Sequence, residues 1–348
     1  MGNSISSFSF LRIFALTFAA IIIGVIFLPN SRYYRWQTLE TDSHRKADWV
    51  FERLHYDDYP IDVAMIGTSR LAGGISGPDL EAGYCRLTGR TIRVANLSLP
   101  ATGRSLQYVV MKELAKTKKP QLTLIEINEM ESRIQHVGFK KVADVSDFVT
   151  APLFINLNYP RDLANLPGRQ VKMFFDTILK RPNVRPEFDP AAYAGHDLDN
   201  TREVTLINGS IESRMIVMPI DELERGHRRR HSPRSKMHLR SYLKPLEYRA
   251  SRIYLRRMEA IAETWGGDTA YLFVPAYKEP KISPELLSDL GIDDPIIDIG
   301  GDIAFEPEKW RDETHVNTVG AMEQTQKLVE LLAKSHPTLG EDGCARDN

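Results

Sequence analysis

The chain has 348 residues, with 45 lysines and arginines against 46 aspartates and glutamates, a formal net charge of -1. Apolar residues make up 42% and charged residues 26%, ordinary globular usage that excludes a disordered or collagen-like chain. The lack of a basic excess argues against a dedicated nucleic-acid binder. The two cysteines, Cys85 and Cys344, are too few for a disulfide scaffold or a cysteine zinc site and say nothing firm about the redox compartment.

The N-terminus departs from these averages. Residues 13–29 (IFALTFAAIIIGVIFLP) carry no charge, and the apolar stretch extends to residues 8–29 with Arg12 as its charged interruption. At about 1.5 Å per residue this covers roughly 30 Å, the thickness of a bilayer core. Arg32, Tyr33, Tyr34, Arg35 and Trp36 follow in the pattern of an interfacial aromatic and basic belt. The sequence LPNSRYYRW offers no small-x-small cleavage site, so an uncleaved anchor over residues 1–36 is expected rather than a cleaved signal. The few flanking arginines do not fix its orientation.

Residues 37–60 read as a linker with a lead-in helix, and the rest as alternating strand and helix. Residues 62–67 (DVAMIG), 91–97 (TIRVANL) and 122–127 (LTLIEI) are short apolar runs of the kind that form buried parallel strands. Between the last two, residues 105–118 place Leu106, Val109, Val110 and Leu114 on one helical face, with Pro120 beyond the end. Residues 245–265 form another helix, 269–274 (TAYLFV) a fourth strand, 295–299 (PIIDI) a fifth, and 319–333 a closing helix. Strands separated by helices imply a parallel sheet covered on both faces, with ligands at the carboxyl ends of its strands. Residues 131–244 lack periodicity and read as an insertion between the halves 61–130 and 245–335, and 336–348 as a C-terminal tail. Within the insertion, residues 225–240 (RGHRRRHSPRSKMHLR) hold seven Lys/Arg, three His and no acid. This reads as a solvated loop or as a patch for an anionic polymer or lipid headgroups, through Arg228, Arg229 and Arg230. His227, His231 and His238 are metal-capable, but the arginines around them repel a cation, so no metal site is expected.

The chemistry-bearing residues sit at the strand ends. Ser69, in Gly67-Thr68-Ser69-Arg70, follows the first strand and precedes a helix-like stretch, where it is a helix cap or a nucleophile beside converging backbone N–H groups. It is not a G-x-S-x-G elbow, because position 71 is Leu. Asp312 and His315, in Asp312-Glu313-Thr314-His315, precede the last helix, and an aspartate three residues before a histidine can supply a base and its orienting partner from one loop. No G-x-G-x-x-G or G-x-x-x-x-G-K-[ST] follows the first strand, so a nucleotide-binding reading is poor.

Taken in order, GTSR, Asn96-Leu97-Ser98-Leu99-Pro100-Ala101-Thr102-Gly103, the strand ending at Asn128, and D-x-x-H resemble the SGNH (GDSL-like) hydrolase superfamily. The resemblance covers roughly residues 61–130 and 245–335. It implies an α/β fold, a flavodoxin-like three-layer sandwich with a central parallel sheet. It also implies Ser69 as nucleophile, His315 as general base and Asp312 as its orienting carboxylate, and an oxyanion hole from Ser69, Gly103 and Asn128. Arg70, next to Ser69, is a further candidate for binding a substrate or anion, with Arg228, Arg229 and Arg230. Two departures stand out: Pro100-Ala101-Thr102 lengthens the second block, and alignment from Pro120 puts Met130 where the family has Asn. Together with the anchor and the insertion, the layout is similar to membrane-anchored members that modify cell-envelope or exopolysaccharide polymers, among them alginate O-acetylation proteins and the D-alanyl transfer protein of teichoic acids. That likeness implies a single-pass protein of the cytoplasmic membrane with its globular part outside. It would be a serine esterase or O-acyltransferase acting on a polysaccharide beside a membrane-bound O-acyltransferase, with no metal or organic cofactor and no nucleic acid. A degenerate domain that binds polysaccharide or assists assembly is the alternative implied by Met130 and the basic segment.

Overall fold

An apolar run of four to six residues becomes a strand when helices cover both sheet faces, because each face then buries every second side chain. The structure, a computed structural model, describes residues 7–37, 39, 44–101, 103–128, 135–153, 158–179, 187–193, 195–206, 208–231 and 243–344. Its strands are β1 (Val63–Ile66), β2 (Arg90–Thr91), β3 (Val94–Asn96), β4 (Leu122–Ile127), β5 (Glu203–Thr205), β6 (Ile211–Ser213), β7 (Asp268–Phe273), β8 (Ile297–Asp298) and β9 (Glu341–Asp342). The central sheet runs β3-β1-β4-β7-β8 with every pairing parallel. Counted within the sheet this order is 2-1-3-4-5, a doubly wound arrangement whose direction reverses between β1 and β4. The crevice at that reversal lies beyond the ends of the strands that deliver Ser69 and Asn128.

Alternation assigns the two faces. Val63, Met65, Leu122 and Leu124 pack with Leu80 and Tyr84 of helix Gly77–Thr88 and Leu328 and Leu332 of helix Thr318–Ser335. Ala64, Ile66, Ile125 and Ile127 pack with Val110 and Leu114 of helix Arg104–Thr117, Leu255 and Met258 of helix Arg249–Glu263, and Leu54 of helix His44–His55. Local signals set the helix ends. Ser76 caps helix Gly77–Thr88 through the Asp79 N–H, and Gly89 closes it at φ 71°.

Several expected segments are redrawn by their partners. The run at 91–97 divides, because Arg90 and Thr91 pair antiparallel with Asp342 and Glu341 rather than joining the central sheet. The helix expected at 245–265 breaks at Tyr248 into Lys244–Glu247 and Arg249–Glu263. Cys85 and Cys344 form a disulfide across 259 residues with their Cα atoms 5.6 Å apart, fastening the tail beside that antiparallel pair.

At the N-terminus, helix Ser7–Ile26 is long and apolar enough to cross a membrane. Its segment Ser9–Ile26 has mean hydropathy 2.3 and is 0% buried. The segment expected as an interfacial belt is instead a helix, Arg32–Gln37, packed into the domain. Trp36 is 1% exposed, Arg35 donates to the Ala143 carbonyl (2.9 Å) and pairs with Asp144, and Tyr33 donates to Glu52. A boundary drawn after residue 36 would therefore cut the core.

Candidate active site

The turn after β1 is built around one buried acid. Glu126, on the neighbouring strand β4, is 0% exposed and accepts both the Thr68 N–H and the Thr68 hydroxyl (2.9 Å). Burial pushes its carboxyl up, and the Thr68 hydrogen bonds with the charges of Arg70 and Arg104 pull the other way. Gly67 is required by this close approach, since a Cβ there would lie 2.3 Å from Glu126 Oε2 and 2.8 Å from Leu71. The Thr68 hydroxyl in turn accepts the Arg70 N–H (3.3 Å) and starts helix Ser69–Gly74. Asn96 holds the far end of that helix, donating to the carbonyls of Leu71 (2.9 Å) and Ile75 (3.0 Å). Ser69 is thus delivered by a turn pinned at both ends. Glu126→Gln keeps the size but offers one acceptor where Thr68 needs two, and is expected to cost about 1–3 kcal/mol. Denaturant unfolding checks this, and an unchanged midpoint would count against the pinning role.

Ser69 meets the loop before the last helix. Its Oγ lies 2.7 Å from His315 Nε2, and His315 Nδ1 lies 2.8 Å from both carboxylate oxygens of Asp312. With Nδ1–H donating to Asp312, Nε2 is the acceptor for the serine proton. Asp312 also accepts the N–H of Thr314 (2.8 Å) and of His315 (2.9 Å), and the Thr314 hydroxyl (2.8 Å). Burial alone would raise the Asp312 carboxyl, but the His315 hydrogen bond and charge and the Thr314 donors outweigh it. They hold the carboxyl well below the usual carboxylate range.

The acid-base loop is gripped from the insertion. Helix Ile220–Arg230 presents Arg229 to the Glu313 carboxylate (3.0 Å) and Arg230 to the Glu313 carbonyl (2.8 Å). Arg230 also donates to Glu279 (2.8 Å) and is 8% exposed. These arginines, expected at an anion-binding surface, face the loop that carries Asp312 and His315. Arg228 is exposed and 4.0 Å from Glu224.

A cavity of about 600 Å³ opens over Ser69 and His315. Its walls come largely from the lead-in helix and the insertion: Lys46, His136, Lys140, Lys141 and Arg214, together with Arg311 beside the triad. Burial lowers Lys46 to about 8 and, with repulsion from Arg311, lowers Arg214 to about 10. His136 Nδ1 accepts the Gly138 N–H (2.9 Å), so Nε2–H donates to the Pro100 carbonyl (2.6 Å) and ties the insertion to the loop after β3. In that loop Ala101 sits at φ 72°, a left-handed conformation that costs a non-glycine residue free energy and that recurs at functional sites.

The other expected residues do not line this cavity. Gly103, at φ 140°, packs against the His136 backbone and lines a small neighbouring cavity with Ala101 and Leu106. Asn128 is buried beyond β4 and Arg70 is buried with its charge felt by Glu126. Neither lines the cavity over Ser69. Met130 and His238 lie outside the described residues. Sequence reasoning passed over Glu126, although an acid inside the apolar run LTLIEI was its visible signal. No family model matches the chain, and no curated protein matches it.

Proposed function

We propose that this chain is a serine esterase or O-acyltransferase of the SGNH kind, moving a small acyl group, acetyl above all, on an extracytoplasmic polysaccharide. The observation that carries the reading is the Ser69–His315–Asp312 chain, 2.7 and 2.8 Å per link, at the floor of an open cavity. Serine is a weak nucleophile until a base takes its proton, and the base needs a partner to hold its tautomer. As Ser69 Oγ attacks an acyl carbonyl, its proton passes to His315 Nε2 and Asp312 stabilises the imidazolium. Collapse breaks the ester bond, and the leaving alkoxide takes the proton from Nε2, leaving an acyl-serine. A water or sugar hydroxyl then gives its proton to Nε2, attacks the acyl carbon and releases Ser69. The Ser69 N–H at the start of its helix is the proposed oxyanion donor, whereas Gly103 and Asn128 do not line the cavity over Ser69.

Three features support the setting. The apolar helix Ser7–Ile26 suits a membrane anchor, and the Cys85–Cys344 disulfide suits an oxidising, extracytoplasmic compartment. A cavity bordered by Lys46, Lys140, Lys141, Arg214 and Arg311 and by apolar side chains such as Leu99, Leu106 and Leu206 offers cations to a carboxylate-bearing polymer and apolar surface to an acyl group. A membrane-bound O-acyltransferase would be the donor-side partner. The test is fluorophosphonate labelling of the full-length protein in detergent, since truncation after residue 36 would remove Trp36 from the core. Labelling of the wild type and not of Ser69→Ala is expected. Equal labelling of the two would leave the degenerate, polysaccharide-binding reading in its place.

A further inference from the structure

We infer that His227, His231 and Glu279 form a binding site for a borderline transition-metal ion of the zinc class, lying behind the acid-base loop and separate from the triad. His227 in the last turn of helix Ile220–Arg230 and His231, the residue that caps its end, lie four positions apart with their rings 4.4 Å from each other. One ligand atom from each histidine and a carboxylate oxygen of Glu279 all fall within 4.8 Å of one another.

The ring nitrogens are arranged as metal ligands need. His231 Nδ1–H donates to the His227 carbonyl (3.0 Å), and its Nε2 lies 2.7 Å from Glu279 Oε1, where a metal ion would replace the proton held between them. His227 Nδ1 is buried without a hydrogen-bond partner, and on His231 the far nitrogen is held by a backbone carbonyl. A backbone carbonyl on the far nitrogen is the arrangement that orients a ligating imidazole. Glu279 is aimed by a tight turn: its N–H donates to the Ala276 carbonyl (2.9 Å), and Lys278 adopts φ 60°.

The surrounding cations choose the ion rather than forbid it. Arg229 is paired with Glu313, Arg228 and Lys278 with Glu224, and Arg230 with Glu279. The neighbourhood therefore has little excess negative charge to offer, which disfavours the hard ions Mg²⁺ and Ca²⁺, whose affinity rests on carboxylate count. Two imidazoles and one carboxylate suit Zn²⁺, with water completing four-coordination. Such an ion would clip the helix that grips Glu313 to the loop after β7, setting the stiffness of the segment bearing Asp312 and His315.

The experiment uses the full-length protein with a non-histidine tag, stripped with chelator in detergent and dialysed against ZnCl₂. Zinc is counted by mass spectrometry, and Co²⁺ substitution is read in the visible spectrum. One zinc per chain and tetrahedral Co²⁺ bands are expected. His231→Ala, at an exposed position that tolerates truncation, should weaken zinc binding about tenfold or more. His227→Ala should do the same, and His315→Ala should leave it intact. Zinc no higher than the chelator background, equal zinc in wild type and His231→Ala, or loss of zinc with His315→Ala would each overturn the site. Thermal unfolding of the variants without metal confirms that they fold.

Discussion

Ser69→Ala is expected to lower turnover of an activated ester such as p-nitrophenyl acetate by about 10⁴–10⁶-fold, because the base and its orienting acid act only through the nucleophile. His315→Ala should fall in the same range, and the double variant should be little worse than either, since residues acting as a unit are not additive. Asp312→Asn is expected to cost on the order of 10⁴-fold, because an amide N–H beside Nδ1 favours the tautomer whose Nε2 already carries a proton. Retention of more than a tenth of wild-type turnover by any of the three would remove the triad assignment. The depressed Asp312 carboxyl adds a pH signature. Its stabilising contribution is fully present above the unfolded value of about 3.9 and is lost as pH falls through the lower folded value. Asp312→Asn should therefore narrow the stability difference from wild type as the pH is taken below about 4.

Cys85→Ser or Cys344→Ser is expected to destabilise the domain by roughly 2–5 kcal/mol, the range for losing a native disulfide that closes a long loop. The bond spans 259 residues and ties the tail to helix Gly77–Thr88, where Leu339 and Tyr84 pack in the same cluster and the Tyr84 hydroxyl donates to the His336 carbonyl (2.6 Å). Thermal unfolding with and without reductant checks it. Reductant should bring the wild type down to the variant and leave the variant unmoved. A titration that finds two free thiols in the non-reduced protein would contradict the bridge directly. The same measurement bears on location, because a stable disulfide belongs to an oxidising compartment.

Much of the frame is legible in the sequence. The strand expected at 122–127 is observed as Leu122–Ile127, and the helix expected at 319–333 as Thr318–Ser335, capped by Asn317. These elements declare themselves because burial periodicity and capping are short-range, carried by residues within one or two turns. The insertion was not legible. Its hairpin β5–β6 and its helices are fixed by the domain they cover, through Phe139, Val142, Phe148 and Leu166 in the shared core and through pairs such as Lys46 with the Leu198 carbonyl.

For the site the division is similar. Ser69, Asp312 and His315 could be named from residue type and position at strand ends, since chemistry of that kind leaves a short local pattern. Their meeting at 2.7 Å across 246 positions was decided by the parallel order of the sheet, which brings the ends of β1 and of the last loop to one crevice. The arginines of helix Ile220–Arg230 show the same limit from the other side. The sequence determined that they were cationic and clustered, and only the fold decided that Arg229 pairs with Glu313 at the surface and that Arg230 is buried against Glu279. Glu126 belongs to the same class, an acid whose role is set by a Thr68 that lies 58 residues away and one strand over. Composition and periodicity act along the chain, whereas pairing of charge, proton donor and acceptor acts across it, and that part tertiary structure alone supplies.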